Sequence, residues 1–319
     1  MKKSTKNTHS YHFRKRSLLE LLGLSILIGI TYLQWGTIKI AIHEIQKSES
    51  GYIWMAVALY WILLPLTAIS YRLLSDKRLI IWTTTLAQLA GSGPGRIVPG
   101  GLGRLSLCII HLMKLGFSSA HSIIVTVTNN IIGIIVNLTV LAVILLFEPE
   151  VKSLFQINTV LSSALILLIT ILVGISLFHR LLHAKRTRKS TLKLTKKWRT
   201  QLKLICKNPV LMIKLFGIAL LILTGGVVII LLCSRALGVN ISMSDALIAL
   251  SVGVFIGGVL PTPGGVGGVE AGIASTLMFL GYSPTEATSI AILFRAITYW
   301  QPLIPGTIAY FYLRKKKLL

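Results

Sequence analysis

The chain has few charged residues and very few acidic ones. Charged residues make up 13% of its 319 positions, and only nine residues are Asp or Glu. A soluble domain of this length carries roughly twice that charged fraction. Hydrophobic residues reach 54% of the chain. The composition therefore excludes an ordinary soluble enzyme and indicates a protein with several membrane spans.

Cysteines and catalytic motifs are also scarce. The three cysteines, Cys108, Cys206 and Cys233, show no CxxC spacing, which excludes a disulfide framework and a zinc site built from cysteine pairs. The chain has no GxxxxGK[ST], HExxH or GxSxG motif and no paired-carboxylate site, so neither a P-loop ATPase nor a common hydrolase is indicated. We predict no catalytic residue, no metal and no cofactor, and a transport function rather than an enzyme.

Positive charge is abundant, and its distribution is informative. The 33 Lys and Arg residues give a formal net charge of +24. They cluster between apolar runs, which is typical of membrane topology and of contact with anionic lipid. We expect no nucleic-acid partner. In the basic segment 180–212, apolar residues recur at helical spacing, namely Leu194, Trp198, Leu202 and Ile205. This pattern predicts an amphipathic helix that binds anionic lipid headgroups on the cytoplasmic leaflet, although a solvated linker explains the charge equally well.

Six apolar segments are long enough to cross a bilayer, which takes about 20 residues. They are Leu18–Ile42, Tyr52–Leu74, Ser122–Phe147, Val160–Phe178, Leu215–Cys233 and Ala287–Leu313. The first follows a basic N-terminus but lacks a small-residue cleavage site, so we interpret it as a retained helix rather than a signal peptide. The bias of Lys and Arg toward alternate loops places both termini in the cytoplasm.

Two further apolar regions are interrupted by Gly and Pro, and the two interruptions resemble each other. The matching residues are Pro99, Gly100, Gly101 and Gly103 in the first, and Pro263, Gly264, Gly265 and Gly267 in the second. Each is followed by a Leu-Gly-aromatic-Ser turn, at 115–118 and 280–283. Such structural breaks at corresponding points of two halves are typical of transporters with broken or re-entrant helices. We therefore predict an all-α, polytopic, single transmembrane domain over 1–319, with broken repeats at 79–147 and 244–313.

The charges that flank the two repeats give them opposite orientations. The first repeat begins after Arg78, on the predicted cytoplasmic side, and ends at Glu148 outside. The second begins outside near Asp245 and ends inside at Arg314. The sequence therefore predicts an inverted-topology repeat.

The second break also carries a family signature. It reads Pro-x-Pro-Gly-Gly-x-Gly-x-x-Glu over Pro261–Glu270, and an arginine, Arg295, follows in the next span. This pattern resembles the flippase-like family typified by the transmembrane part of lysylphosphatidylglycerol synthase. The resemblance extends over essentially the whole chain and is strongest in its C-terminal part. It implies a bacterial or archaeal cell-membrane protein that moves a phospholipid or a lipid-linked substrate between leaflets.

The chain departs from that family in two respects. The family often carries a Glu-Arg pair on the span after the first break, where this chain has Asn129 and Asn130. In addition, no part of the sequence matches the cytosolic aminoacyl-transferase domain of the large synthases, so we expect translocation without lysine transfer. Two alternatives stay open, a small-solute secondary transporter and a non-catalytic membrane partner of an envelope-lipid enzyme. An oligomer is compatible with the sequence.

Five residues are candidates for substrate binding: Arg96, Arg104, Asn130, Glu270 and Arg295. A charge as deep in a span as that of Arg295 costs roughly 3 kcal/mol on insertion scales and needs a partner. Glu270 is the only acidic residue near the second break. We predict that the two form an ion pair, which is either purely structural or opened by an anionic headgroup.

The remaining candidates lie in the first half of the chain. Arg96 and Arg104 flank the first break, where a forked guanidinium and exposed helix N–H groups suit a phosphate; snorkelling to the membrane interface is the alternative. Asn130 occupies the position equivalent to Arg295. Together with Thr126, Gly133 and Asn137 it forms a small and polar face, which we expect to face the bundle because such residues pack helices together.

Overall fold

The computed structural model describes residues 49–75, 79–98, 101–147, 208–260 and 262–319, with five isolated positions at 36, 40, 43, 46 and 198. The described part is helical and contains no strand. Its helices are α1 (Ser50–Leu74), α2 (Ile81–Ala90), α3 (Leu102–Lys114), α4 (Ser119–Phe147), α5 (Pro209–Ala236), α6 (Met243–Val259), α7 (Gly268–Phe279), α8 (Pro284–Arg295) and α9 (Leu303–Lys315).

Three of these helices are long and apolar enough to cross a membrane: Ser50–Leu74, Ser119–Ile144 and Pro209–Ala236. At 1.5 Å per residue the shortest of them, with 25 residues, spans about 38 Å, which exceeds the roughly 30 Å of hydrocarbon. They correspond to three of the predicted spans, so the prediction of an all-α polytopic membrane protein is confirmed. The predicted span Val160–Phe178 lies outside the described residues, as does Leu18–Ile42 apart from positions 36 and 40. Of the predicted basic segment 180–212, the structure describes only Trp198 and residues 208–212.

Helix starts are set by side-chain caps that the sequence provides. The Asn208 side chain accepts a hydrogen bond from the Leu211 N–H at the start of α5, and Pro209 fills the first helical position. At the start of α8, the hydroxyl of Ser283 and the carboxylate of Glu286 form a capping box. These caps satisfy N–H groups that have no partner within the helix.

Both Gly/Pro-rich regions contain a pair of shorter helices separated by a non-helical break. In the first region, α2 and α3 are separated by a 3₁₀ turn at Pro94–Ile97. In the second, α6 and α7 are separated by residues 260–267, where Gly264, Gly265 and Gly267 adopt positive φ. Pro99 and Gly100 lie outside the described residues. The fold therefore contains the two broken helix pairs, while the inverted relation between the halves stays a prediction.

The helices α6 and α7 approach closely because glycines face each other. A methyl group added to Gly272 would lie 2.7 Å from the Cα of Gly253, and one added to Gly268 would lie 3.0 Å from the Cα of Gly257. Each helix thus contributes a Gly-x-x-x-Gly pair, the spacing that lets helix backbones meet in membranes.

We expect Gly272→Ala to destabilise the protein by about 1–3 kcal/mol, because the added methyl meets backbone rather than a flexible side chain. The matched control is Gly133→Ala in α4, where no described residue would lie within 4 Å of the added methyl; there, alanine's higher helix propensity should make the change neutral or stabilising. Thermal unfolding of the purified protein compares the two variants. Equal unfolding temperatures would show that the glycine contact contributes nothing.

The predicted last span, Ala287–Leu313, is not one continuous α-helix. The structure ends α8 at Arg295, continues as a π-helical segment over Ala296–Trp300, and begins α9 at Leu303. The prediction of a single span is corrected here. Pro302 explains the interruption, because a proline has no N–H to donate to the carbonyl four residues earlier.

The first break packs against α9 at another glycine. A methyl group added to Gly306 would lie 2.5 Å from the carbonyl oxygen of Leu89 and 2.7 Å from the backbone nitrogen of Gly93. This contact brings the 3₁₀ turn of the first break beside the π-helical segment of the second half. The candidate site lies at that junction.

Candidate functional site: a charged cluster where the two halves meet

The predicted ion pair between Glu270 and Arg295 is present. The Nε of Arg295, at the end of α8, donates to Oε1 of Glu270, in the first turn of α7, at 2.9 Å. Both side chains are largely buried, with 8% of Arg295 and 15% of Glu270 exposed. A charge at such a position requires a partner, because transfer from water to a medium of low dielectric constant costs several kcal/mol per ion.

Arg295 has two further contacts that hold its guanidinium in place. Its second terminal nitrogen donates to the carbonyl of Gly264 in the second break, at 3.3 Å. Its Cζ lies 4.3 Å from the ring centroid of Tyr299, within the range of a cation–π contact. The arginine therefore joins α7, the second break and the π-helical segment.

Arg96 approaches the same tyrosine from the first break. Its Cζ lies 4.0 Å from the ring centroid of Tyr299. Its guanidinium also donates to two backbone carbonyls, that of Thr298 at 2.9 Å and that of Tyr299. The alternative that Arg96 snorkels to the membrane interface is wrong, because the side chain turns inward to the π-helical segment.

The carbonyl of Thr298 is available to Arg96 for a reason that the sequence contains. In a continuous α-helix it would accept the N–H of residue 302, but that residue is Pro302, which has none. A buried carbonyl without a partner is unfavourable, and the forked guanidinium of Arg96 supplies the missing donor. Pro302 in the second half thus leaves a hydrogen-bond acceptor, the Thr298 carbonyl, for Arg96 from the first half.

The cluster has an excess of positive charge. Arg96 and Arg295 both contact Tyr299, and in the described part of the chain the one acidic group among these contacts is Glu270, which pairs with Arg295. The second carboxylate oxygen of Glu270, Oε2, is buried and has no hydrogen-bond partner among the described residues. The site thus combines two guanidinium groups, one carboxylate and a Gly-rich turn. Such a combination suits an anion with several oxygen atoms.

Arg104 lies apart from these contacts. The side chain is exposed, and its Nε donates to the buried Gln88 Oε1 at 3.0 Å. It does act electrostatically on Arg96, together with Arg295. Arg104 therefore adds positive potential near the cluster, while its direct bond ties α3 to α2.

Asn130 makes no contact with the cluster among the described residues. Its amide donates to the carbonyl of Thr126 one turn earlier, at 2.8 Å. On its predicted face Thr126 is fully buried, Asn137 is half-buried, and Asn130 and Gly133 are exposed. Ile132 and Val136 pack in the first-half core, and the role of Asn130 stays a prediction.

Two essential parts of the cluster were not among the predicted site residues. Tyr299 separates the two arginines, and the carbonyl of Thr298 anchors one of them. A proline four residues after Thr298 is the sequence signal that could have revealed the free carbonyl. The contact of Tyr299 with Arg96 has no comparable signal, because these two residues are 203 positions apart in sequence. The spacing of Arg295 and Tyr299, i and i+4, does predict a contact on one helix face.

Metal ligands do not cluster in the described residues, where no three His, Cys, Asp or Glu side chains come together. The arrangement instead offers hydrogen-bond donors and positive charge. Such groups are chemically suited to contact an anion.

These features define a polytopic, all-α membrane protein with broken helices and a buried charged cluster between its halves. The chain belongs to the family described as "Lysylphosphatidylglycerol synthase TM region", whose model matches residues 19–306. The predicted family is thereby confirmed, and it relates the chain to membrane proteins of lipid modification or translocation. The comparison with curated proteins gave no match.

Proposed function

We propose that this protein translocates an anionic phospholipid or a lipid-linked substrate between leaflets, and that the Arg96–Tyr299–Arg295–Glu270 cluster receives the headgroup. The observation that supports this most is the meeting of two arginines from different halves at one tyrosine, beside the second break. An arginine fork recognises phosphate oxygens with two parallel hydrogen bonds. A charged cluster inside a membrane domain is a functional hypothesis by default.

Apolar exposure around both breaks favours a lipid over a small solute. Val98 and Leu102 flank the first break and are 42% and 58% exposed; Val259 and Leu260, which begin the second, are 66% and 40% exposed. If these positions lined a closed aqueous vestibule, polar side chains would be expected there. Apolar side chains beside a charged cluster suit a substrate that carries its acyl chains along the outside while its headgroup enters.

The experiment is a headgroup-labelled phosphatidylglycerol assay in vesicles that contain the purified protein. We expect Arg295→Lys to reduce the flipping rate at least tenfold, because lysine keeps the charge but loses the forked guanidinium that contacts Glu270 and Gly264 and would bind a phosphate. The matched control is Arg235→Lys at the exposed end of α5, which should flip lipid at the wild-type rate. Wild-type rates from Arg295→Lys would refute the phosphate role.

The same vesicles separate the proposal from its alternatives. Uptake of a soluble phosphate compound with no lipid movement would favour a small-solute transporter. No translocation of either, together with loss of a partner enzyme's activity when the protein is removed from cells, would favour a non-catalytic membrane partner.

We also propose that both termini are cytoplasmic and that the two repeats are inverted. In that topology the starts of α4 and α8 face opposite sides of the membrane. Single cysteines at Ser119 and Thr285, both exposed, should therefore react with an impermeant thiol reagent from opposite sides. The background requires replacement of Cys206 alone, since Cys108 and Cys233 are buried. Labelling of both positions from one side would contradict the inverted repeat.

A further inference from the structure

We infer that the cluster binds a proton together with its anionic ligand: Glu270 accepts the proton, and its neutralisation releases Arg295 to the anion. This inference rests on the proposed function and adds a coupling ion to it. The proton comes from water and binds the carboxylate at Oε2, and no other bond is made or broken. Proton and phosphate-bearing anion then occupy the site as a pair.

The unpaired oxygen of Glu270 is the first observation that supports the inference. One carboxylate oxygen accepts from Arg295 at 2.9 Å, and the other is buried without a partner among the described residues. An ionised carboxylate is an acceptor at both oxygens, so a bare buried oxygen is unfavourable. A proton at Oε2 removes the negative charge and turns that oxygen into a donor.

Competition for Arg295 is the second observation. The guanidinium already donates from Nε to Glu270 and from a terminal nitrogen to the Gly264 carbonyl. A forked contact with phosphate needs two adjacent N–H groups of the same guanidinium. An anion that makes a forked contact at the Nε edge of Arg295 must therefore displace Glu270, and an event that weakens the ion pair then raises the affinity for that anion. By thermodynamic reciprocity, the bound anion raises the affinity for the proton by the same factor.

Among the described residues, Glu270 is the carboxylate of the cluster that can accept a proton. Arg295 from α8 and Arg96 from the 3₁₀ turn stay protonated. The adjacent helix α6 has one titratable residue, Asp245, which lies at its far end and accepts a hydrogen bond from Tyr282 at 2.7 Å. Proton uptake that accompanies anion binding at the cluster is therefore assigned to Glu270.

Calorimetry on the full-length wild-type protein tests the coupling without any substitution. The probes are dihexanoyl phosphatidylglycerol and its tail-free headgroup, glycerophosphoglycerol, which share a phosphodiester anion and distinguish a lipid from a free phosphate ester. Titration in buffers of different ionisation enthalpy measures the protons taken up. We expect uptake that approaches one proton per bound anion, and an affinity that falls by up to about tenfold per pH unit wherever that proton is taken up.

A pair of matched variants assigns the proton to its residue. Glu270→Gln keeps a carbonyl oxygen for Arg295 but cannot ionise; its anion affinity should not change with pH, and binding should take up no proton. The control, Glu286→Gln, changes the glutamate of the α8 capping box, and glutamine preserves that box. Its pH dependence should match that of the wild type.

The outcomes separate this inference from the proposed function. Anion binding with neither proton uptake nor pH dependence in the wild type would overturn the inference and leave the proposed function standing. Proton uptake that persists in Glu270→Gln would overturn the assignment to Glu270. Absence of anion binding at every pH, for both probes, would overturn both. If Glu270→Gln does not fold, the wild-type calorimetry alone decides whether a proton is coupled.

Discussion

Glu270→Ala is expected to lower the free energy of unfolding by about 3–5 kcal/mol, because it leaves the buried Arg295 guanidinium without its counter-ion. Replacing both members by methionine should destabilise the protein much less, since an apolar pair avoids the desolvation penalty of two charges. Thermal unfolding in detergent measures the single variants and the double variant. A double variant as unstable as Glu270→Ala would show that the pair does not act as one energetic unit.

The double methionine variant also separates structure from function. If the ion pair only stabilises the fold, the variant should flip lipid at the wild-type rate once it is folded. If Arg295 receives the headgroup, the variant should be folded and inactive, because methionine offers no donor to a phosphate. The same preparation gives both measurements, so a loss of activity cannot be ascribed to loss of protein.

The parts of the site that the sequence predicts follow from local chemistry or from strong energetic requirements. Glu270 and Arg295 are expected to meet because a buried membrane charge requires a counter-ion and the chain supplies few acidic residues. The capping box at Ser283 follows from a four-residue pattern. The breaks follow from glycine and proline, whose backbone preferences are the strongest that any residues have.

The parts that the sequence does not predict depend on which surfaces meet. The polar stripe around Asn130 has helical spacing, yet spacing does not say how far each member is buried: Thr126 is fully buried and Asn130 is exposed. The last span has the length and the mostly apolar composition of one continuous helix. Its interruption depends on Pro302, and the use of the carbonyl thus freed depends on Arg96 from the other half.

Pro302→Ala is the second substitution with a large expected effect. Alanine restores an N–H that can pair with the Thr298 carbonyl within a continuous helix, so Arg96 loses one of its two acceptors. We expect the flipping rate to fall about tenfold or more, the size that corresponds to loss of a hydrogen bond to a charged group, while thermal stability stays equal or rises. Pro209→Ala is the control, because a proline at the first position of α5 replaces an N–H that has no helical partner.

A double-mutant cycle with Arg96→Ala tests whether the two residues act through the same contact. If Pro302 matters because it leaves the Thr298 carbonyl to Arg96, the double variant should be no slower than the slower single variant. Additive losses would instead mean that Pro302 acts through the bend of the helix alone. Because the two residues belong to different halves of the chain, non-additivity would show that the broken helix of one half holds the first break of the other in position for transport.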